Sequence, residues 1–179
     1  MSSISFARNF QSVPVSLIGV AFSLAVFPTL SAAAGIGDRV AFVRTLRTNL
    51  AVIAGLSVVA AIGLAIVGGL AIRTLLGGGA FDETAAARTT TLLTVFAISV
   101  PFDALAHPLA RAFYATRNTL WPVAASLASL GAIVGATTAL VPSLGILAIP
   151  AGFAIGAAVK VVILGLALPS RLRRLDAPA

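Results

Sequence analysis

Five apolar stretches, each long enough to cross a bilayer, constrain this chain more than anything else in it. A helix needs about 20 mostly apolar residues to span the hydrocarbon core. Runs of that kind extend over Val13 to Leu30, Leu50 to Leu76, Thr91 to Ala112, Trp121 to Val141 and Leu144 to Leu168. Hydrocarbon supplies no hydrogen-bond partners, so each run has to satisfy its own backbone groups by becoming a helix. The expected fold class is therefore all-α: a polytopic membrane helix bundle of five transmembrane helices, one membrane domain over residues 1–179. Composition agrees, with a mean hydropathy of +1.09 and 9% charged residues, where soluble domains carry about 25%.

Gly, Pro, Asp and Asn mark the connectors "SAAAGIGDRVAFVRTLRTN", "GGGAFDETAAARTT", "FYATRNTL" and the short "PS" after Val141, as turn chemistry requires. Lys and Arg favour cytoplasmic loops. With the N-terminus outside, Arg39, Arg44, Arg47, Arg111, Arg117, Arg171, Arg173 and Arg174 fall on the cytoplasmic side, and only Arg8, Arg73 and Arg88 do not. The expected orientation is thus N-terminus outside and C-terminus cytoplasmic. Val40, Val43, Leu46 and Leu50 recur beside Arg39, Arg44 and Arg47, which predicts a short interfacial helix feeding the second span. The net charge of +7 is scattered between apolar runs, which points to membrane lipids with anionic headgroups and away from nucleic acid. Arg8, the run to Leu30 and "SAAA" also have the layout of a cleavable signal peptide. Pro14 and Pro28 bracket that run, and cleavage would leave an Arg-rich loop outside, so a retained span is the better reading. Five helices entered directly from outside look like an excerpt of a transporter, whose repeats together enclose a midplane site.

The third stretch holds the most polar motif, "PFDALAHPLARAFY", residues 101–114. Asp103, His107 and Arg111 lie four apart and share one helix face. Counted from Thr91, a rise of 1.5 Å per residue places them at depths of about 18, 24 and 30 Å. Arg111 then reaches the cytoplasmic headgroups and is explained by snorkelling; Lys160, in the fifth stretch, reads the same way. Asp103 has no such outlet. It forms either a local pair with His107 or a protonatable, cation-attracting group on a wet cavity. Pro101 and Pro108 cannot donate to the carbonyls of Ala97 and Ala104, so the helix is expected to kink or open there. Gly131 with Gly135 and Gly152 with Gly156 are spaced for close helix packing.

Enzymatic constellations are absent. The chain has one His and no Cys, no HExxH and no P-loop, and "GGLAIRTLLGGGAF" lacks the ending that a phosphate loop needs. No enzyme, catalytic residue, metal site or cofactor is expected.

Several stretches in order resemble the lipid II flippases of bacterial peptidoglycan synthesis, the MurJ (MviN) family of the multidrug, oligosaccharidyl-lipid and polysaccharide exporter superfamily. "VPVSLIGVAFSLAVFPTLS" is similar to its proline-started helix, through Pro14, Gly19, Val20, Ala21, Pro28, Leu30 and Ser31. "LLGGGAFD" resembles its Gly-Ala-Phe loop, through Gly79, Ala80 and Phe81. "ARAFYATRNTLWP" resembles a further stretch through Arg111, Ala112, Phe113, Tyr114, Ala115, Thr119 and Pro122. The resemblance covers helices eight to twelve of fourteen and implies a partial C-terminal lobe of a flippase, moving a lipid-linked saccharide precursor across the bacterial cytoplasmic membrane by alternating access. It also implies a missing N-terminal lobe as partner and no activity alone. Near Arg8 and Asn9 the family often carries a basic and an acidic residue, and at His107 a Lys is common. Arg8, Asn9 and His107 are therefore the expected substrate-binding residues, with Arg111 and Arg117 at the cytoplasmic interface. Asn118, Leu120, Trp121 and Asp103 depart from the pattern. The alternatives are a flippase of another polysaccharide lipid intermediate and a non-transporting membrane scaffold.

Overall fold

The computed structural model describes residues 3–76 and 83–173, and every pass of the chain through it is helical. The Gly-Ala-Phe loop at Gly79, Ala80 and Phe81 lies outside the described residues.

The first pass comprises α1 (Ser3–Pro14), a π-helical turn (Val15–Val20) and α2 (Ala21–Gly35). Pro14 has no N–H, and its ring crowds the carbonyl of Phe10; the helix answers by widening for the next six residues. Gly37, at φ 72°, turns the chain after α2. The Asp38 carboxylate then caps α3 (Arg39–Leu76), accepting from the Ala41 N–H at 2.9 Å, where the helix dipole also favours an anion. The basic segment from Arg39 to Arg47 forms the opening turns of this 38-residue helix, so the separate interfacial helix expected there does not exist. Nothing between Arg39 and Leu50 breaks helical hydrogen bonding, and one long helix satisfies more backbone groups than two short ones.

The third pass qualifies as a span only as a bent pair of helices. It divides into α4 (Glu83–Ala97) and α5 (Val100–Ala115), bent by 43°. Of the two expected kinks, the one tied to Pro101 and the Ala97 carbonyl is present, and the one at Pro108 is not. The break falls at Ile98 and Ser99, Pro101 begins α5, and Pro108 lies inside it without interrupting it. A proline in the first helical turn forfeits only an N–H that has no intrahelical partner anyway, which makes it a starter. Asp103, read as the middle of a span, is thus in the first turn of a helix, a position that favours negative charge.

α6 (Leu120–Leu144) runs through the "PS" taken as a turn; the reversal is at Gly145, φ 55°. A short 3₁₀ turn (Gly145–Leu147) leads into α7 (Ala148–Leu172). The two helices fold back on each other. Ser129 Oγ donates to the Gly156 carbonyl at 2.8 Å, and a Cβ on Gly152 or Gly156 would collide with Thr137 and Ile133 of α6. Gly131 and Gly135 face nothing within 4 Å. Only the pair on α7 makes the close approach that both spacings suggested. By length and composition Ser3–Gly35, Arg39–Ile72 and the stretch Leu120–Leu172 qualify to cross a membrane, and α4 and α5 qualify together. The molecule is an all-α membrane helix bundle.

The first pass and α5 run side by side in the same direction. Gln11 Nε2 donates to Ser99 Oγ at 3.3 Å, Gly19 meets the backbone of Ala104, and Phe27 lies under Arg111. Buried apolar side chains form two groups, one around Ala7, Ile72, Leu93 and Phe96, the other around Leu30, Phe42, Leu109, Phe113 and Leu164. Replacing Gly156 by Val should lower the stability of the purified chain by about 1–3 kcal/mol through overpacking, while Gly131→Val should leave it unchanged. Thermal or denaturant unfolding in detergent micelles measures both.

Candidate functional site

Three helical passes run in parallel and carry Arg8, Arg111 and Lys160: α1–α2, α4–α5 and α7. At one end Arg8, exposed on α1, lays its guanidinium 4.8 Å from the ring centroid of Phe153 on α7. Phe153 is itself fixed edge-on against Phe96 of α4, at 5.9 Å and 64°. At the other end Arg111 of α5 lies 5.4 Å from the ring of Phe27 on α2. Both arginines are seated on aromatic faces, and neither is paired with a carboxylate of the described residues. Stacking orients a guanidinium while its N–H edge stays available to an anion.

Between these ends lies the polar middle of the bundle. Asp103 and His107 are half-buried on one face of α5, and His107 feels the fields of Asp103, Lys160 and Arg111. No hydrogen bond or ion pair joins Asp103 to His107. Their coupling runs through space, because α5 places them one turn apart without turning their side chains onto each other. Lys160 departs from its expected place as well. It stands twelve residues from each end of α7 (Ala148–Leu172), or about 18 Å from either terminus, too deep for simple snorkelling. Its signal in the sequence was the spacing from Phe153: seven residues, two helical turns, hence the same face of α7.

The expected substrate-binding residues do not form one cluster. With Gln11 beside Ser99 and Gly19 beside Ala104, His107 sits level with the region near Ser23, about 20 Å along the helix direction from Arg8. One phosphate cannot touch both. Asn9 is exposed, and its carbonyl accepts from Ser12 Oγ at 2.8 Å. Arg117 is exposed in the α5–α6 turn at φ 53°, where Asn118 Oδ1 accepts from the Trp121 N–H at 3.2 Å and starts α6. The residues along this face thus make a graded series: Arg8, then Lys160 with His107 and Asp103, then Arg111. Among the described side chains the only carboxylates are Asp38 and Asp103, so the face carries three basic side chains against one described acid. No group of acids, His or Cys able to hold a metal is found among the described residues.

Comparison with known proteins bears on such a face. The sequence profile of the family described as "Lipid II flippase MurJ" matches residues 1–178. A relative from Bdellovibrio bacteriovorus HD100, described as "Probable lipid II flippase MurJ", is 27% identical over 164 residues, which is 92% of this chain and 31% of the relative. Among solved structures, "Lipid II flippase MurJ, inward closed conformation" superposes with a TM-score of 0.83 at 20% identity, over 97% of this chain and 38% of that one. The chain spans about a third of the length of these relatives. With the profile covering nearly its full length, and the same fold in a solved flippase, the chain belongs to the lipid II flippase MurJ family.

Proposed function

We propose that this chain supplies one wall of a lipid II flippase: it presents a ladder of cations to the diphosphate of the lipid-linked precursor and acts only with the remaining flippase helices, the N-terminal lobe among them. The observation that carries the reading is the set of Arg8, Lys160 and Arg111 on one three-helix face, none held by a salt bridge to a carboxylate of the described residues. A diphosphate crossing the membrane needs successive partners at different depths, because burying its charge unpaired is prohibitive. Arg8 at one end, Lys160 midway and Arg111 at the other end meet that need where a single compact site would not. Asp103 then acts as the local counter-ion that keeps Lys160 and His107 from trapping the anion. The loop charges support an N-terminus outside and a C-terminus in the cytoplasm, which makes Arg8 the outer station and Arg111 the inner one. The membrane is the bacterial cytoplasmic membrane.

Complementation in a flippase-depleted bacterium tests the reading. Growth should return only when this chain is co-expressed with an N-terminal lobe; rescue by the chain alone would remove the partial-wall proposal, and no rescue in any combination would remove transport. In that rescued state, a photoreactive lipid II analogue should label α1 near Arg8. Arg8→Ala should cut the labelling by about tenfold, the worth of one charge-assisted contact, with Arg8→Lys recovering part of it. Labelling of another lipid-linked saccharide in preference to lipid II would reassign the cargo, and a folded complex without any labelling would favour a scaffold.

The mid-depth cluster has its own test. Asp103→Asn and His107→Ala should be non-additive by more than about 0.5 kcal/mol in the unfolding free energy, as interacting sites are. Additive effects would show that Asp103 and His107 are not coupled.

A further inference from the structure

The cationic face leaves one built site unused, on the opposite flank of the first pass. Between α2 and α3 lies a groove of about 580 Å³ whose wall includes Phe22, Val26, Arg44, Thr45, Thr48 and Asn49. A second groove of about 600 Å³ adjoins it through Arg44 and Thr48 and adds Arg47. Asn49 is 8% exposed. Its Nδ2 donates to the Phe22 carbonyl at 3.5 Å, and its Oδ1 is buried with no partner. Arg44 is exposed and has neither an ion pair nor a hydrogen bond, and the hydroxyls of Thr45 and Thr48 have no partner either. By contrast, Thr90, Thr91 and Thr94 all donate back to carbonyls of their own helix.

We infer that this groove binds an anionic phospholipid of the cytoplasmic leaflet. Arg44, Thr45, Thr48 and Asn49 are spaced to share one face of α3, in order of increasing depth if α3 rises from the cytoplasmic side as proposed above. Arg44 lies about 7 Å along the helix from its start at Arg39 and Asn49 about 15 Å. The guanidinium takes the lipid phosphate, the threonine hydroxyls donate beside it, and the second amide hydrogen of Asn49 meets the ester level one to two turns deeper. The acyl chains continue over Phe22 and Val52, which are 39% and 41% exposed. A hydrocarbon tail alone does not account for Asn49. Asn49 Nδ2 uses one hydrogen in a single long bond to Phe22 and keeps a second, which an ester oxygen at that depth accepts. A free phosphate lacks anything to cover Phe22 and Val52. The site is distinct from the cation ladder and holds whether or not the cargo is lipid II.

The test is lipid retention by the full chain, delipidated in detergent, given equal amounts of phosphatidylglycerol and phosphatidylcholine, and read by native mass spectrometry. The wild type should keep one phosphatidylglycerol in preference. Arg44→Gln, a change at an exposed side chain that leaves folding intact, should lower that retention about tenfold, as losing a charge-assisted contact does. Asn49→Leu should lower it about fivefold, the loss of a neutral hydrogen bond. Arg171→Gln, a cationic control at the end of α7, should leave it unchanged. Wild-type retention by Arg44→Gln, equal loss from Arg171→Gln, or displacement of phosphatidylglycerol by inorganic phosphate or by lipid II would each overturn the assignment. If Asn49→Leu does not fold, the Arg44 and Arg171 variants decide the matter.

Discussion

The bundle depends on one bare contact, the seating of Gly19 against the backbone of Ala104. A Cβ on Gly19 would stand 2.7 Å from the Ala104 Cα, so no other residue allows the first pass and α5 to lie this close. In a membrane, helices gain little from apolar burial against one another, because lipid is as apolar as the interface; close packing supplies the attraction instead. The contact also sets the register of everything above and below it: Gln11 against Ser99, and Phe27 beneath Arg111. The break at Ile98 and Ser99 thereby lies level with Gln11, about one turn before the π-helical stretch from Val15 to Val20. Backbone groups freed at such places need partners within the protein, and the Ser99 hydroxyl, donating to the Phe96 carbonyl at 2.7 Å, is one.

Most of the helices were legible in the sequence because hydropathy reports length, and length alone decides whether a run can cross 30 Å of hydrocarbon. What hydropathy does not report is where a helix restarts. Thr91 to Ala112 is uniformly apolar apart from its polar motif, so the break at Ser99 leaves no dip. Pro101 signals only that something happens nearby; whether it kinks or starts a helix depends on whether the residues before it bend away. The interfacial helix was misread for a related reason. The basic, periodic segment after Asp38 has the pattern of a helix lying on a membrane, and the same pattern serves the first turns of a helix that continues into it.

The polar residues divide the same way. Their common face on α5 followed from spacing of four, and the structure keeps it. Their partners did not follow, because partners come from other helices. Lys160 meets His107 electrostatically only because α7 packs on α5, and Phe153 and Phe27 matter only as seats for Arg8 and Arg111. Neither aromatic is distinguishable by sequence from the other eight Phe residues. Family resemblance pointed to Arg8 and His107 together, yet helical rise separates them by about 20 Å.

The π-helical turn has a geometric consequence of its own. A wide turn accommodates one residue more than an α-helical path of the same rise, and one residue is worth about 100° of rotation about the axis. Everything from Ala21 to Gly35 is therefore phased by that widening. Closing that wide turn to a regular helix with all its residues kept would swing Phe27 about a quarter-turn away from Arg111 and carry Phe22 and Val26 out of their groove, whereas deleting one residue within Val15–Val20 would preserve their phase. Pro14, which gives rise to the wide turn, thus acts as a phase-setting element for two surfaces on opposite flanks of one helix, at a distance from both.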